Sequence, residues 1–344
     1  MPERDAASTA SPPPTSPASD SSDLAAALVP ALVAACGGRL SDVQWFRSSW
    51  QSGGASTAYA KYAVEEGPPQ DVVVKLPVGP SEYRWTTQLG GGDGGPIPAS
   101  SAYACGYGPT PRVFASGLEL GGYDLAWLVV ERFRGGPVSA HLDAAGVQDL
   151  LTTAAEWYAR AEQLRDISQA PAPETTDWDG LMARAREAIR NNTIAEAQRW
   201  SNAVKAAHKM LPALVARWDS RPINTWCHGD LHPGNAMKRD GSGRCVLIDL
   251  ALVHPGHWVE DAVYLERLYW GRSELLGGVK VVSFLAKARR DRGLLSAEDY
   301  TMLANVRRVL MAATAPIYLA REGHPRYIHA ALETLERLLP LVSR

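Results

Sequence analysis

Hydrophobic positions change their period part-way along this 344-residue chain, and the change divides it. Past a Pro-, Ser- and Ala-rich opening over 1–22, which has too few large apolar groups to offset chain entropy and reads as a disordered tail, Asp23 is placed to cap a helix. That helix carries Leu24, Leu28, Leu32 and Ala35 on one face and ends at Gly37-Gly38. Three β-branched or alternating runs follow, Val43 to Ser48, Ala58 to Val64 and Val72 to Leu76, and two more lie near Thr110 to Ala115 and Ala126 to Glu131. They predict a mostly antiparallel sheet interrupted by one helix, Glu82 to Leu89, with Ser81 as its cap.

From Arg134 the period becomes helical: Ala144 to Leu164, Asp179 to Asn191, Ile194 to Trp218, Asp261 to Tyr269, Gly278 to Arg292, Ala297 to Arg321 and Tyr327 to Leu339. Only Ala236 to Leu250 breaks it, as two short strands around Asp240-Gly241-Ser242-Gly243. The pattern predicts an α+β protein of two lobes: a β-rich lobe over 23–133 and a larger helical lobe over 134–344, with a ligand cleft between them.

Composition excludes more than it identifies. Hydrophobic residues make up 46% and charged residues 21%, and the net charge is -2, so neither nucleic acid nor a membrane surface is an indicated partner. Cys36, Cys105, Cys227 and Cys245 show no zinc or disulfide spacing, which suits a reducing cytoplasm. The apolar run ending at Cys36 resembles a lipoprotein signal, but the acidic stretch before it lacks the positive start of one.

The chemistry concentrates in Cys227-His228-Gly229-Asp230-Leu231-His232-Pro233-Gly234-Asn235 and in Asp249 after Val246-Leu247-Ile248. Asp230 alone reads equally as a turn cap. Asn235 five residues on, and Asp249 closing an apolar hairpin, add two hard oxygen ligands of the kind that hold Mg²⁺ on a nucleotide's phosphates. A charge after a buried strand also requires a partner, and a divalent cation is one. Of the histidines, His228 reads as a support for the turn, and His232, His254 and His257 as packing or capping groups.

The string HGDLHPGN followed by LID resembles the aminoglycoside phosphotransferase and choline kinase-like family, which has the two-lobed protein-kinase-like fold. The resemblance implies that Asp230 is the catalytic base, that Asn235 and Asp249 bind Mg²⁺, and that ATP or GTP is the co-substrate. It extends to Lys75 as the phosphate-binding lysine, Glu82 as its partner, and Leu128 to Phe133 as the hinge, with Glu131 and Phe133 beside the base. Asp261-Ala262 is similar to a downstream family segment. A lysine that only protects a sheet edge, and a glutamate that only complements a helix dipole, remain alternatives for Lys75 and Glu82. Ser52, Gly53, Gly54 and Ser56 form a small-residue loop placed to offer N–H groups to phosphates, although it is neither GxGxxG nor a Walker loop.

Leu250-Ala251 stands where protein kinases have Phe-Gly, and no Ala-Pro-Glu follows, so a small-molecule hydroxyl is the implied acceptor. Trp258, Glu266 and Trp270 are candidate acceptor contacts, with core packing as the competing explanation for that helix. The alternative to an O-phosphotransferase is a nucleotide-binding regulatory protein of the same fold without catalysis.

Overall fold

The computed structural model describes residues 20–46, 55–90, 108–192, 194–241, 243–294, 299–318 and 325–343. The expected tail, Ser52, Gly53, Gly54, Cys105 and the glycines after Gly90 lie outside the described residues, apart from the helical backbone of residues 20–22. The chain forms two compact units: residues 1–78 with 114–130, and residues 79–113 with 131–344. The sequence pattern ran the first lobe unbroken to 133, whereas contacts assign 79–113 to the second unit.

The first unit is built on a five-stranded sheet of order β1-β2-β3-β5-β4. Its strands are β1 (Leu40–Phe46), β2 (Ser56–Tyr62), β3 (Gln70–Leu76), β4 (Val113–Gly117) and β5 (Trp127–Glu131). Alternation works as the pattern predicts: Val72, Val74 and Leu76 are buried, and Asp71, Val73 and Lys75 take the other face. Ser56 pairs with Leu76 and Thr57 with Lys75 in the β2–β3 register.

Two helices, α1 (Asp20–Ala27) and α2 (Val29–Ala35), cover the buried face through Ala25, Leu28, Leu32 and Cys36. This corrects the expected stripe: Leu24 is exposed, and Pro30 near the start of α2 divides one helix into two. Cys36 is buried in this core, and burial pushes its thiol up to about 11.

In the second unit, α3 (Pro80–Leu89) opens at Gly79 with Pro80 in the first turn, so Ser81 is not its cap. Ser81 Oγ instead donates to the Leu250 carbonyl at 3.3 Å. The remaining helices are α4 (Ala144–Leu164), α5 (Trp178–Asn191), α6 (Ala197–Asp219), α7 (Val259–Leu268), α8 (Val281–Arg290), α9 (Tyr300–Thr314) and α10 (Pro325–Val342). Asp143, Asp177 and Asp299 cap α4, α5 and α9 by accepting from Gly146, Gly180 and Met302 N–H groups. The apolar stripes Val147, Leu150, Leu151, Ala154 and Tyr158 of α4, and Trp200, Val204, Ala207, Leu211 and Leu214 of α6, enter one core.

Short antiparallel pairs punctuate these helices. β6 (Thr225–Cys227) pairs with β9 (His254–Gly256), and β7 (Ala236–Lys238) with β8 (Cys245–Leu247). Together they fold the two motif segments against each other. Among the described residues no helix is long and apolar enough to cross a membrane.

Candidate active site

The turn after β6 is held from below by one buried carboxylate. Asp261, in the first turn of α7 and 1% exposed, accepts from the backbone N–H of His228 (2.7 Å) and of Gly229 (2.9 Å), and from the Tyr158 hydroxyl (2.9 Å). Burial first, and then the charge of Asp261, keep the Tyr158 hydroxyl well above its ordinary pKa, so it remains a donor.

His228, fully buried, braces the turn from the side. Its Nε2 faces the Ile248 carbonyl at 3.1 Å, and its Nδ1 accepts from the Asp230 N–H at 3.3 Å. A carbonyl only accepts, so the proton belongs on Nε2. Burial lowers the pKa of the ring and keeps it neutral.

Gly229 has φ +84°, and a Cβ there would lie 2.2 Å from the Leu252 carbonyl oxygen. Only glycine fits. Gly229→Ala is expected to destabilise the protein by about 1–3 kcal/mol or more and to abolish function. A thermal melt unchanged from the parent would show that the turn relaxes freely.

The Asp230 carboxylate is surrounded by donors. Tyr264 Oη donates to Oδ1 at 2.6 Å, Asn235 Nδ2 to Oδ2 at 2.8 Å, and His232 Nε2 lies 3.5 Å from Oδ2. His232 Nδ1 accepts from the Gly234 N–H, which leaves the ring proton on Nε2, facing the aspartate. Burial opposes the charge, but the bonds from His232, Tyr264 and Asn235 outweigh it and hold the carboxyl at about 2. A carboxylate has about four lone-pair directions. Three are engaged by these donors, and one remains for a hydroxyl.

Asn235 is oriented by the same contacts. Its Nδ2 donates to both the carbonyl (3.1 Å) and the carboxylate of Asp230, so the amide oxygen is the end left for a cation. The Ile248 N–H donates to the Asn235 carbonyl at 2.9 Å, extending the β7–β8 ladder by one pair. Asp249 is therefore the next residue at the mouth of the hairpin. Its backbone is left-handed (φ 63°, ψ 68°), an uncommon conformation for a residue other than glycine. The side chain is exposed, which corrects the argument that a buried strand end forces a partner on it. What supports ligation is the donor set: an amide oxygen and a carboxylate on residues that the hairpin brings to its open end, both hard oxygens suited to Mg²⁺.

A family model for the phosphotransferase enzyme family matches residues 52–280, more than half of the chain, and covers these features. The chain belongs to that family. No curated protein sequence matches it. Among solved structures, a candidate aminoglycoside phosphotransferase from Ralstonia eutropha aligns with TM-score 0.53 at 14% identity, covering 91% of this chain and 98% of that one. A choline/ethanolamine kinase family protein from Mesorhizobium loti aligns with TM-score 0.51 at 13% identity, covering 94% and 96%. These likenesses show the kinase-like fold, and with the family match they agree with the resemblance read from HGDLHPGN and LID.

The remaining residues expected at the phosphotransferase site are placed as follows. Lys75 lies on β3 in the first unit and Glu82, 6% exposed, on α3 in the second. Glu131 accepts from Arg239 Nε (3.0 Å) and Nη2 (2.8 Å), and Arg239 also donates to the Gly108 and Thr110 carbonyls. The Glu131 side chain is thus committed to Arg239 and to the Arg112 N–H. Phe133 packs under the Arg239 guanidinium, 5.7 Å from the ring centre.

Trp258 is fully buried in the helical core, so it has no surface to offer an acceptor, which corrects that expectation. Both carboxylate oxygens of Glu266 are taken by Arg308, at 2.7 and 3.0 Å, and Trp270 stacks on Tyr327. The α7 residue that reaches the Asp230 carboxylate is Tyr264. Its helical spacing made it look like core, and no sequence signal separated a core tyrosine from one bonded to Asp230.

Proposed function

We propose that this phosphotransferase moves the γ-phosphate of ATP or GTP to a hydroxyl of a small molecule. The observation that carries the reading is the Asp230 carboxylate, held by Tyr264, Asn235 and His232 with one acceptor direction left, at a turn whose Asn235 pairs through its backbone with Ile248, next to Asp249.

Asp230 orients the hydroxyl by accepting its hydrogen. A carboxyl held at about 2 is a weak base, so proton transfer comes late, as the new P–O bond forms and the hydroxyl becomes acidic. Asn235 and Asp249 would hold Mg²⁺, which when bound draws charge from the phosphates. The resemblance gives Lys75 the role of bringing its ammonium to the nucleotide phosphates. His228 and Asp261 fix the turn.

The deciding measurement is nucleotide consumption with Mg²⁺ across amino sugars, amino alcohols, sugars and hydroxylated acids, with the phosphate ester identified by phosphorus NMR. Consumption coupled to one ester, abolished by EDTA, is expected. Tight Mg·ATP binding with no ester from any acceptor would favour a regulatory protein instead.

Tyr264→Phe tests the donor shell. Loss of one bond to the carboxylate is expected to slow transfer by about tenfold and to move the Asp230 pKa up toward its ordinary 3.8. The sign follows from linkage. A depressed pKa contributes stability that is complete above 3.8 and is lost as pH falls toward 2, so the variant loses less stability over that range. Carboxyl titration by carbon NMR reads the shift directly, and an unmoved pKa would remove Tyr264 from the mechanism.

A further inference from the structure

The second unit contains a cavity of about 1050 Å³ whose wall includes Gly229 and Tyr264, the neighbours of Asp230 in chain and in hydrogen bonding. That volume suits a drug-sized molecule and far exceeds what a small amino alcohol fills. Its chemistry is cationic and aromatic. Arg84 and Arg165 line it with no carboxylate or hydrogen-bond acceptor for their guanidinium groups among the described residues, and Arg307, whose Nε has no hydrogen-bond partner, shares the charge of Glu260 with Arg221. The Arg307 guanidinium lies 5.3 Å from the Trp178 ring and 4.9 Å from the Trp218 ring, and Arg165 lies 5.5 Å from Trp226.

The acids in the same wall are mostly committed. Glu260 pairs with Arg221 at 3.1 Å and faces His254 at 3.7 Å; Asp261 has its three donors, and Asp219 lies 4.0 Å from Arg221. Glu174 is the acid left against the guanidinium groups of Arg84 and Arg165. Cys227, His254 and Glu260 come within 4.8 Å of one another, but Arg221 on that carboxylate makes the cluster an ion pair rather than a place for a dication.

We infer that this cavity binds the acceptor, and that the acceptor is an anion: a hydroxylated molecule with a carboxylate, phosphate or sulfate group and a flat face for the indoles. The inference rests on the phosphotransferase reading and narrows its acceptor. Guanidinium groups bind such anions through charge-assisted, bidentate bonds, and indole faces cover the apolar remainder. A polycationic amino sugar would meet the like charges of Arg84 and Arg165 in the same wall.

The test uses the full chain without nucleotide, titrated with naphthalene-2-sulfonate and with 2-naphthylmethylammonium, and followed by tryptophan fluorescence and calorimetry. The sulfonate is expected to bind at least about tenfold more tightly, and Arg307→Gln to weaken it about tenfold. Arg307 sits within the tryptophan cluster, so Arg84→Gln and Arg165→Gln carry the same expectation if that variant does not fold. Equal binding of the ammonium, or sulfonate affinity unchanged in the Arg84→Gln/Arg165→Gln double variant, overturns the proposal. In parallel, Mg·ATP transfer is compared between hydroxylated carboxylates or sugar phosphates and amino sugars. Transfer to amino sugars alone overturns the anionic acceptor and leaves the phosphotransferase reading standing. Selective sulfonate binding without transfer to any acceptor supports the anion site and counts against that reading.

Discussion

Asp230→Asn is expected to reduce phosphoryl transfer by about 10²–10⁴-fold, the range usually lost with a positioned general base. The substitution keeps the size of the side chain but exchanges one acceptor oxygen for a donor. Oδ1 can still accept from Tyr264, whereas an NH₂ at the other position would face the Asn235 amide and the His232 ring proton, both of them donors. The hydroxyl then loses the acceptor that orients it, and the shell loses about 1–2 kcal/mol of hydrogen bonding. Steady-state transfer to the acceptor found by the nucleotide screen, with Mg·ATP affinity measured alongside, separates the two effects. The rate should collapse while nucleotide affinity stays near that of the parent. Transfer at the parent rate would mean that the proton leaves by another route.

A larger structural effect is expected at Asp261. Asp261→Ala removes the acceptor for two backbone N–H groups and the Tyr158 hydroxyl, in a place where no water-exposed side chain can substitute. Each unsatisfied buried donor costs about 1–3 kcal/mol, so three of them amount to about 3–9 kcal/mol. Against a total stability of about 5–15 kcal/mol, that brings the fold close to failure. Denaturant unfolding measures it directly. Asp261→Asn, which keeps one oxygen but sets an NH₂ against a donor, should fall between the two. A loss under about 1 kcal/mol for the alanine variant would show that the turn is held by other means, with His228 the first to examine.

Both predictions concern one turn, and its two supports differ in how legible they were. Asp230, Asn235 and Asp249 stood out because their spacing is tied to a tight turn and a hairpin, both local features set by Pro233-Gly234 and Asp240-Gly241. Asp261 showed only as a weak similarity, because its role depends on α7 packing under a turn thirty residues earlier in the chain. Tyr264 was hidden for the same reason, one helical turn further along α7. The error at Trp258 is the converse: an aromatic residue near a motif reads the same whether it faces a ligand or the core, and burial alone separates the two.

Strand alternation and the order of elements needed only local physics, as did three of the helix caps, although the cap expected at Ser81 did not form. Asp143, Asp177 and Asp299 cap because their side chains reach the N–H groups three residues on, and Val72, Val74 and Leu76 share a face because the strand period is two. By itself the sequence determined the phosphoryl-transfer motif, the two kinds of secondary structure and their order along the chain. The tertiary structure decided the donors that hold Asp230 at about 2, the buried carboxylate beneath the turn and the guanidinium-lined cavity. Each of these joins residues distant in sequence. Their electrostatics depend on which charges are already paired in space, and no local pattern in the chain encodes that.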